Sequence, residues 1–146
     1  MVDPNEPDRL DAALEAVYFG FRALTAQPDA LLHRLGYARV HHRILYFVAR
    51  HPGCSVGELL AIMGVSKQYL HRPLRRLVED GRVAAERDPG DRRIKRLTLT
   101  PEGRDLEARL TGAQKRRLAA VFQAAGAEAE AGWRRVMALL AAGEGE

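Results

Sequence analysis

Ten lysines and arginines fall between residues 66 and 97 of this 146-residue chain: Lys67, Arg72, Arg75, Arg76, Arg82, Arg87, Arg92, Arg93, Lys95 and Arg96. Five acids share the window, so it carries +5 against +4 for the whole chain. A basic patch on a near-neutral body is the electrostatic footprint of a polyanion-binding face. Gln68 can pair bidentately with adenine, and Arg72 with guanine, across a major groove. Lys67, Arg75, Arg76, Arg82 and Lys95 have the chemistry to neutralise phosphates and so position the protein. Ser66 and the unpaired N–H groups of a helix start can hold a further phosphate. Arg92 and Arg93 suit a minor groove, whose negative potential is deepest where it is narrow.

Other chemistries lack their residues. There is no phosphate-binding glycine loop, no Gly-x-Ser-x-Gly and no His-Glu-x-x-His, so neither catalytic residues nor a cofactor are expected. His33, His41, His42, His51 and Cys54 show no metal-ligand spacing. His41 and His42 are adjacent, about 100° apart on a helix. His41, His42 and Tyr46 are the weak candidates for an effector contact. Cys54 is the single cysteine and excludes an internal disulfide, which fits a reducing cytoplasm. Its place just before a helix start would lower a thiol pKa, which keeps a redox-sensing role open. No apolar run approaches the ~18 residues of a membrane span, and the polar residues 1–8 carry no signal peptide. A cytoplasmic protein is expected. Glu128, Glu130, Glu144 and Glu146 read as solvated tail charges.

The elements that must position the basic residues follow from periodicity. Leu10, Leu14, Val17, Tyr18, Phe21 and Leu24 form one stripe of a long amphipathic helix, predicted to stop near Gln27 before Pro28. A second helix spans residues 38–50, with Val40, Ile44, Leu45, Phe47 and Val48 on its apolar face; His51-Pro52-Gly53 ends it. Ser55 with Glu58 forms a capping-box pattern before a short helix burying Val56, Leu59, Leu60 and Ile62/Met63. Gly64 breaks that helix. Ser66 caps the next, whose Leu70, Leu74, Leu77 and Val78 share one face while Gln68, Arg72, Arg75 and Arg76 share the other, with Tyr69 at the margin. Pro73 inside it predicts a kink or a shifted register. Gly81 ends it in a left-handed conformation.

Residues 82–87 and 94–99 then read as a β-hairpin around Asp88-Pro89-Gly90-Asp91, a type II turn by its Pro-Gly centre. Thr100 caps a new helix with Pro101 at its first position. Leu106, Leu110, Leu118, Val121 and Phe122, then Trp133, Val136, Met137 and Leu140, line helices to the end, weakened at Gly126 and Gly132. The fold class is mainly α with a small β-hairpin wing: a winged helix-turn-helix with N- and C-terminal dimerisation helices. The boundaries are 1–37 for the N-terminal dimerisation helix and loop, 38–100 for the DNA-binding region and 101–146 for the C-terminal dimerisation helices, all in one compact chain. The terminal helices carry more apolar surface than this small body covers, which calls for a C2 partner.

The stretches HPGCSVGELLAIMGVSKQYLHRPLRRLVEDGRV and DPGDRRIKRLTLTPEG resemble the MarR family of multiple antibiotic resistance regulators. Asp91 and Arg93 match its wing pattern, and Leu99, Thr100, Pro101, Glu102 and Gly103 its helix start. The resemblance implies a homodimer with interlocked terminal helices. It further implies a pseudo-palindromic duplex-DNA operator and repression released by a small-molecule effector. Carried over, the recognition contacts are Ser66, Gln68, Tyr69 and Arg72, and the wing contact is Arg93 with Arg92 beside it. Arg82-Val83 departs from the family's usual apolar pair, which makes Arg82 a candidate phosphate contact. Two other readings stay open: a winged helix serving as a protein-interaction module, and a metal- or redox-responsive member of the same family.

Overall fold

The computed structural model describes residues 6–143; Glu144 and Glu146, read as tail charges, lie outside them. The chain order is α1 (Glu6–Arg34), α2 (Arg39–Arg50), β1 (Cys54–Ser55), α3 (Val56–Met63), α4 (Lys67–Glu79), β2 (Val83–Arg87), β3 (Lys95–Leu99), α5 (Pro101–Ala125) and α6 (Ala127–Ala142).

The capping residues set the boundaries. Ser55 Oγ accepts the Glu58 N–H at 3.0 Å, Ser66 Oγ the Tyr69 N–H at 3.1 Å, and Thr100 Oγ1 the Gly103 N–H at 3.0 Å. Each satisfies one of the orphan donors of a helix start. At the other end of α4 the Arg82 N–H reaches the Leu77 carbonyl at 2.8 Å and the Gly81 N–H reaches Val78 at 3.1 Å. That is a Schellman motif, and the φ of +73° it needs at Gly81 is one a glycine tolerates. The α4 helix runs unbroken through Pro73 from its Ser66 cap, so the register is the one the cap sets.

Three expectations fail. The α1 helix does not stop at Gln27 but continues through Pro28 to Arg34. Proline there removes one N–H, yet the extra turns bring Leu32 into the core at 2% exposure, and that burial outweighs one lost bond. The 88–91 turn is not type II, because Gly90 is not among the glycines with positive φ. Asp88 Oδ2 instead accepts the N–H groups of Gly90 and Asp91, both at 2.9 Å. The loop closes wider, from the Asp88 N–H to the Ile94 carbonyl. Val78 and Ile62, expected inside, are exposed; on these helices only Leu59, Leu70 and Leu77 are fully buried.

The sheet has three antiparallel strands in the order β1-β3-β2, with the wing strands paired from Val83↔Leu99 to Arg87↔Lys95. The two-residue β1 was not foreseen. Too short to show alternation, it is defined by its pairing of Cys54 with Leu97 and Ser55 with Arg96.

One core joins Leu32, Tyr37, Ile44, Leu45, Val48, Leu59, Leu70, Leu77, Val83, Leu97, Leu99, Leu106 and Leu110. It therefore draws on the end of α1, the central elements and the start of α5. Beyond Ala113 no described residue is buried. Leu10, Leu14, Val17, Tyr18, Phe19 and Phe21 on α1, and Val121, Trp133, Val136, Leu139 and Leu140 on α5–α6, are exposed. Phe122 and Trp133, 5.2 Å between ring centroids, hold α6 against α5.

Candidate nucleic-acid interface

The side chains expected to meet DNA begin at the Ser66 cap. Its oxygen is occupied by the Tyr69 N–H, so the first N–H groups of α4 stay open to an anion. Lys67, Gln68, His71 and Arg72 border one open groove on the exposed side of α4. Tyr69 is half exposed. His71 was missed by the sequence reading; its helical position beside Lys67 and Arg72 was the available signal.

A second groove, of about 680 Å3, lies between α4, α3 and the wing. Lys67 and Arg75 from α4 and Lys95 from β3 all line it, so cations of helix and wing share a surface. Among the described residues Lys67, Arg72, Arg92 and Lys95 have no ion-pair partner.

The wing tip is internally braced. Asp91 takes the Arg93 guanidinium through both carboxylate oxygens, at 3.1 and 3.0 Å, and also accepts the Arg93 N–H at 3.1 Å. These bonds hold the Asp91 carboxyl below the usual carboxylate range. The Arg93 side chain nonetheless remains 91% exposed, so it is aimed rather than consumed. Arg87 donates to the Arg92 carbonyl at 2.8 Å and stiffens the same loop.

Other members of the basic set serve structure. Arg76 donates to the carbonyls of Gly36 and Leu35, stands 3.5 Å from Asp80 and lies over the Tyr37 ring. It clamps α4 to the α1–α2 junction. Arg82 is half-buried and reaches the Glu102 carbonyl at 3.4 Å. Arg96 pairs with Glu58 at 2.9 Å and Asp88 at 3.2 Å, tying the wing to α3. Hydrogen bonds from Ser55 and Arg96 lower the Glu58 pKa, and Arg96 with the loop N–H groups lowers that of Asp88. Arg75 is shared with Glu79 at 2.9 Å but stays largely exposed.

Tight backbone contact sets where the wing begins. Thr100 donates its hydroxyl to the Gly81 carbonyl at 2.6 Å and its N–H to the Arg82 carbonyl at 3.1 Å. Gly103 packs so closely that a Cβ would stand 1.9 Å from that Arg82 oxygen.

The remaining candidates separate. His42 and Tyr46 line a cavity of about 250 Å3 between α1, α2 and α5, together with Phe21, Arg39 and Arg43. His41 does not; its Nδ1 accepts the Ala38 N–H at 2.9 Å and its ring lies 4.8 Å from that of Tyr37, tilted by 35°. His42 Nε2 lies 3.0 Å from Thr111 Oγ1. Burial lowers the pKa of both histidines. Arg50 stands 2.8 Å from the buried Glu107 carboxylate, which joins α2 to α5. Cys54 sits at 5% exposure in β1, and burial raises its pKa rather than lowering it as its place before a helix start would, which fits the inert cysteine rather than a redox sensor. Among the described residues no cluster of three or more metal-ligating side chains occurs, and no helix is long and apolar enough to cross a membrane.

A helix-turn-helix followed by a braced basic hairpin defines a winged-helix DNA-binding protein. Comparison with known proteins agrees. The MarR family model matches residues 35–94. The chain is 42% identical over 130 residues to the HTH-type transcriptional regulator PetP of Rhodobacter capsulatus, covering 89% of this chain and 78% of that one. Among solved structures it is similar to the MarR family transcription regulator SP03579, with a TM-score of 0.76 and 25% identity over 94% of this chain and 91% of that one. It shares the fold of Streptococcus pneumoniae FabT, solved in complex with DNA, with a TM-score of 0.75 and 18% identity over 91% and 93% of the two chains. The chain belongs to the MarR family and is a transcriptional regulator, not an enzyme.

Proposed function

We propose that the protein is a cytoplasmic repressor that binds a pseudo-palindromic operator as a homodimer and is released by a small-molecule effector. The observation that carries the DNA reading is the shared surface of α4 and the wing, where Lys67, Arg75 and Lys95 line one groove and Arg93 projects from the tip. Gln68, Tyr69 and Arg72 read base edges, Arg93 with Arg92 reads the minor groove, and Ser66, Lys67, Arg75 and Lys95 position the phosphates. Arg76 and Arg82 are engaged within the chain, the first tying α4 to the α1–α2 junction and the second the wing base to the start of α5. Residues 38–100 form the DNA-binding head, and residues 1–37 and 101–146 pair the two protomers. The exposed apolar stripes of α1 and α6 support that pairing, and a C2 dimer would set two α4 helices about 34 Å apart, one DNA turn. His42 and Tyr46 make the cavity between α1, α2 and α5 the effector site this reading favours.

Arg72→Ala provides the test, with fluorescence anisotropy on an operator selected from random duplexes and on a random duplex. The operator should lose ~1–3 kcal/mol and its preference at one position should relax. Equal losses on both duplexes would remove Arg72 from base recognition. Retention of no salt-dependent affinity for any duplex by the wild type would favour the protein-interaction reading instead.

A further inference from the structure

His71 lies exposed on α4 where two grooves meet, one open along the helix with Gln68 and Arg72, the other running toward the wing. Only Lys67 lines both grooves with it. Lys67 stands four residues before His71 and Arg75 four residues after, so the three side chains form one row along the helix. Lys95 of β3 lines the wing side of the same groove. The one acid there is Glu79, already bonded to Arg75 at 2.9 Å. The α3 and β2 elements bring no charge to the groove, presenting Val56, Gly57, Leu60 and Ala85. Among the described residues His71 has no hydrogen-bond or ion-pair partner, and Lys67 and Lys95 have no ion-pair partner. The row thus joins permanent cations to the one side-chain type whose charge ordinarily changes between about pH 5 and 8.

We propose that His71 is a proton-linked phosphate contact: operator binding takes up a proton on its imidazole, so the grip on DNA tightens as pH falls. The proposal deepens the DNA reading and rests on it. Duplex DNA carries one negative charge per ~1.7 Å of its axis. A phosphate held between α4 and the wing by Lys67 and Lys95 brings its oxygens to the imidazole. A neutral ring donates one N–H, whereas the imidazolium donates from a charged ring, in a bond about twice as strong. A nearby anion favours the charged form of a base. Linkage is reciprocal, so DNA that favours the proton is favoured by it to the same factor. Binding is therefore tightest where the imidazole is protonated and weakens as pH rises. A C2 dimer carries two such rings, and their effects multiply.

Fluorescence anisotropy on the selected operator, at constant ionic strength and at about pH 8 and about pH 6, reads the coupling. Far-UV spectra at both pH values check that each protein is folded. The wild type should bind at least ~10-fold tighter at the lower pH. Calorimetry in two buffers of different ionisation enthalpy should show net proton uptake on binding. His71→Gln keeps a hydrogen-bonding side chain that does not titrate. It should bind within ~3-fold of the wild type at about pH 8 and lose most of the gain at about pH 6. His71→Lys carries a permanent charge, so it should bind at about pH 8 nearly as tightly as the wild type does at about pH 6, with a flat profile. His51→Gln, in the loop after α2 and outside both grooves, should keep the full gain. A wild-type profile that is flat or rises with pH, or a gain that survives in His71→Gln, would overturn the proposal. A flat profile ends the proposal alone, whereas absence of binding to any duplex at either pH would end the DNA reading with it, so the two failures are distinguishable.

Discussion

Gly103→Ala should destabilise the protein, although helix propensity alone predicts the opposite. Gly103 is a buried residue in the first turn of α5, where replacing glycine with alanine normally gains up to about 1 kcal/mol. Here the new methyl carbon would stand 1.9 Å from the Arg82 carbonyl oxygen and 2.9 Å from its carbon. A carbon–oxygen contact needs about 3.3 Å, so the α5 start and the wing base must part by about 1.4 Å. Overpacking of that kind costs about 1–3 kcal/mol. The separation also strains the Thr100 N–H bond to the Arg82 oxygen and the Thr100 hydroxyl bond to Gly81, at about 1 kcal/mol each. Net of the propensity gain, the expected loss is about 3 kcal/mol. Urea denaturation at one fixed protein concentration measures it, since dimer stability depends on concentration. Gly57→Ala is the control: its methyl would meet nothing closer than 3.9 Å, and stability should hold or rise. Operator affinity of folded Gly103→Ala should also fall, because Arg82 leads directly into β2. A Gly103→Ala protein as stable as the wild type would refute the close-packing argument.

Lys95→Ala should weaken binding to every duplex alike and lower the slope of log affinity against log salt by about 1, read from anisotropy titrations. An unchanged slope would remove Lys95 from the phosphate contacts. Burial lowers the pKa of His42 and His41, so below the ordinary value near 6.5 the unfolded chain takes up more protons than the folded one. Stability should therefore be complete above about pH 6.5 and fall as pH drops through the depressed folded values; urea midpoints at pH 7.5 and 5.5 check this. His42→Gln should shrink the fall, and an identical pH profile would acquit His42. Leu14 and Leu139 are 69% and 66% exposed, so Leu14→Glu with Leu139→Glu should yield monomers by sedimentation and weaken operator binding. A dimer of undiminished stability would place the subunit contact elsewhere.

What could be read from the sequence was local chemistry. The caps Ser55, Ser66 and Thr100 act on N–H groups three residues away, and the Asp91–Arg93 brace spans two residues, so spacing alone exposes them. The helical and hairpin periods were legible for the same reason. What escaped was non-local. Arg76, Arg82 and Arg96 look like surface cations until their partners, 40, 20 and 38 residues distant, are in place. Cys54 looks like a loop thiol until β3 pairs beside it. Pro28 reads as a helix stop because the sequence does not display the core that Leu32 enters.

The central position of β3 has a mechanical consequence. Flanked by β2 on one side and by β1 on the other, and pinned through Arg96 to Glu58, the hairpin cannot swing independently of the α3 start. Helix and ribbon therefore travel as one rigid clamp. Under the proposed function, an effector that loosens the grip on an operator would have no wing hinge to work; it would have to alter the distance or tilt between two such clamps, through the long terminal helices.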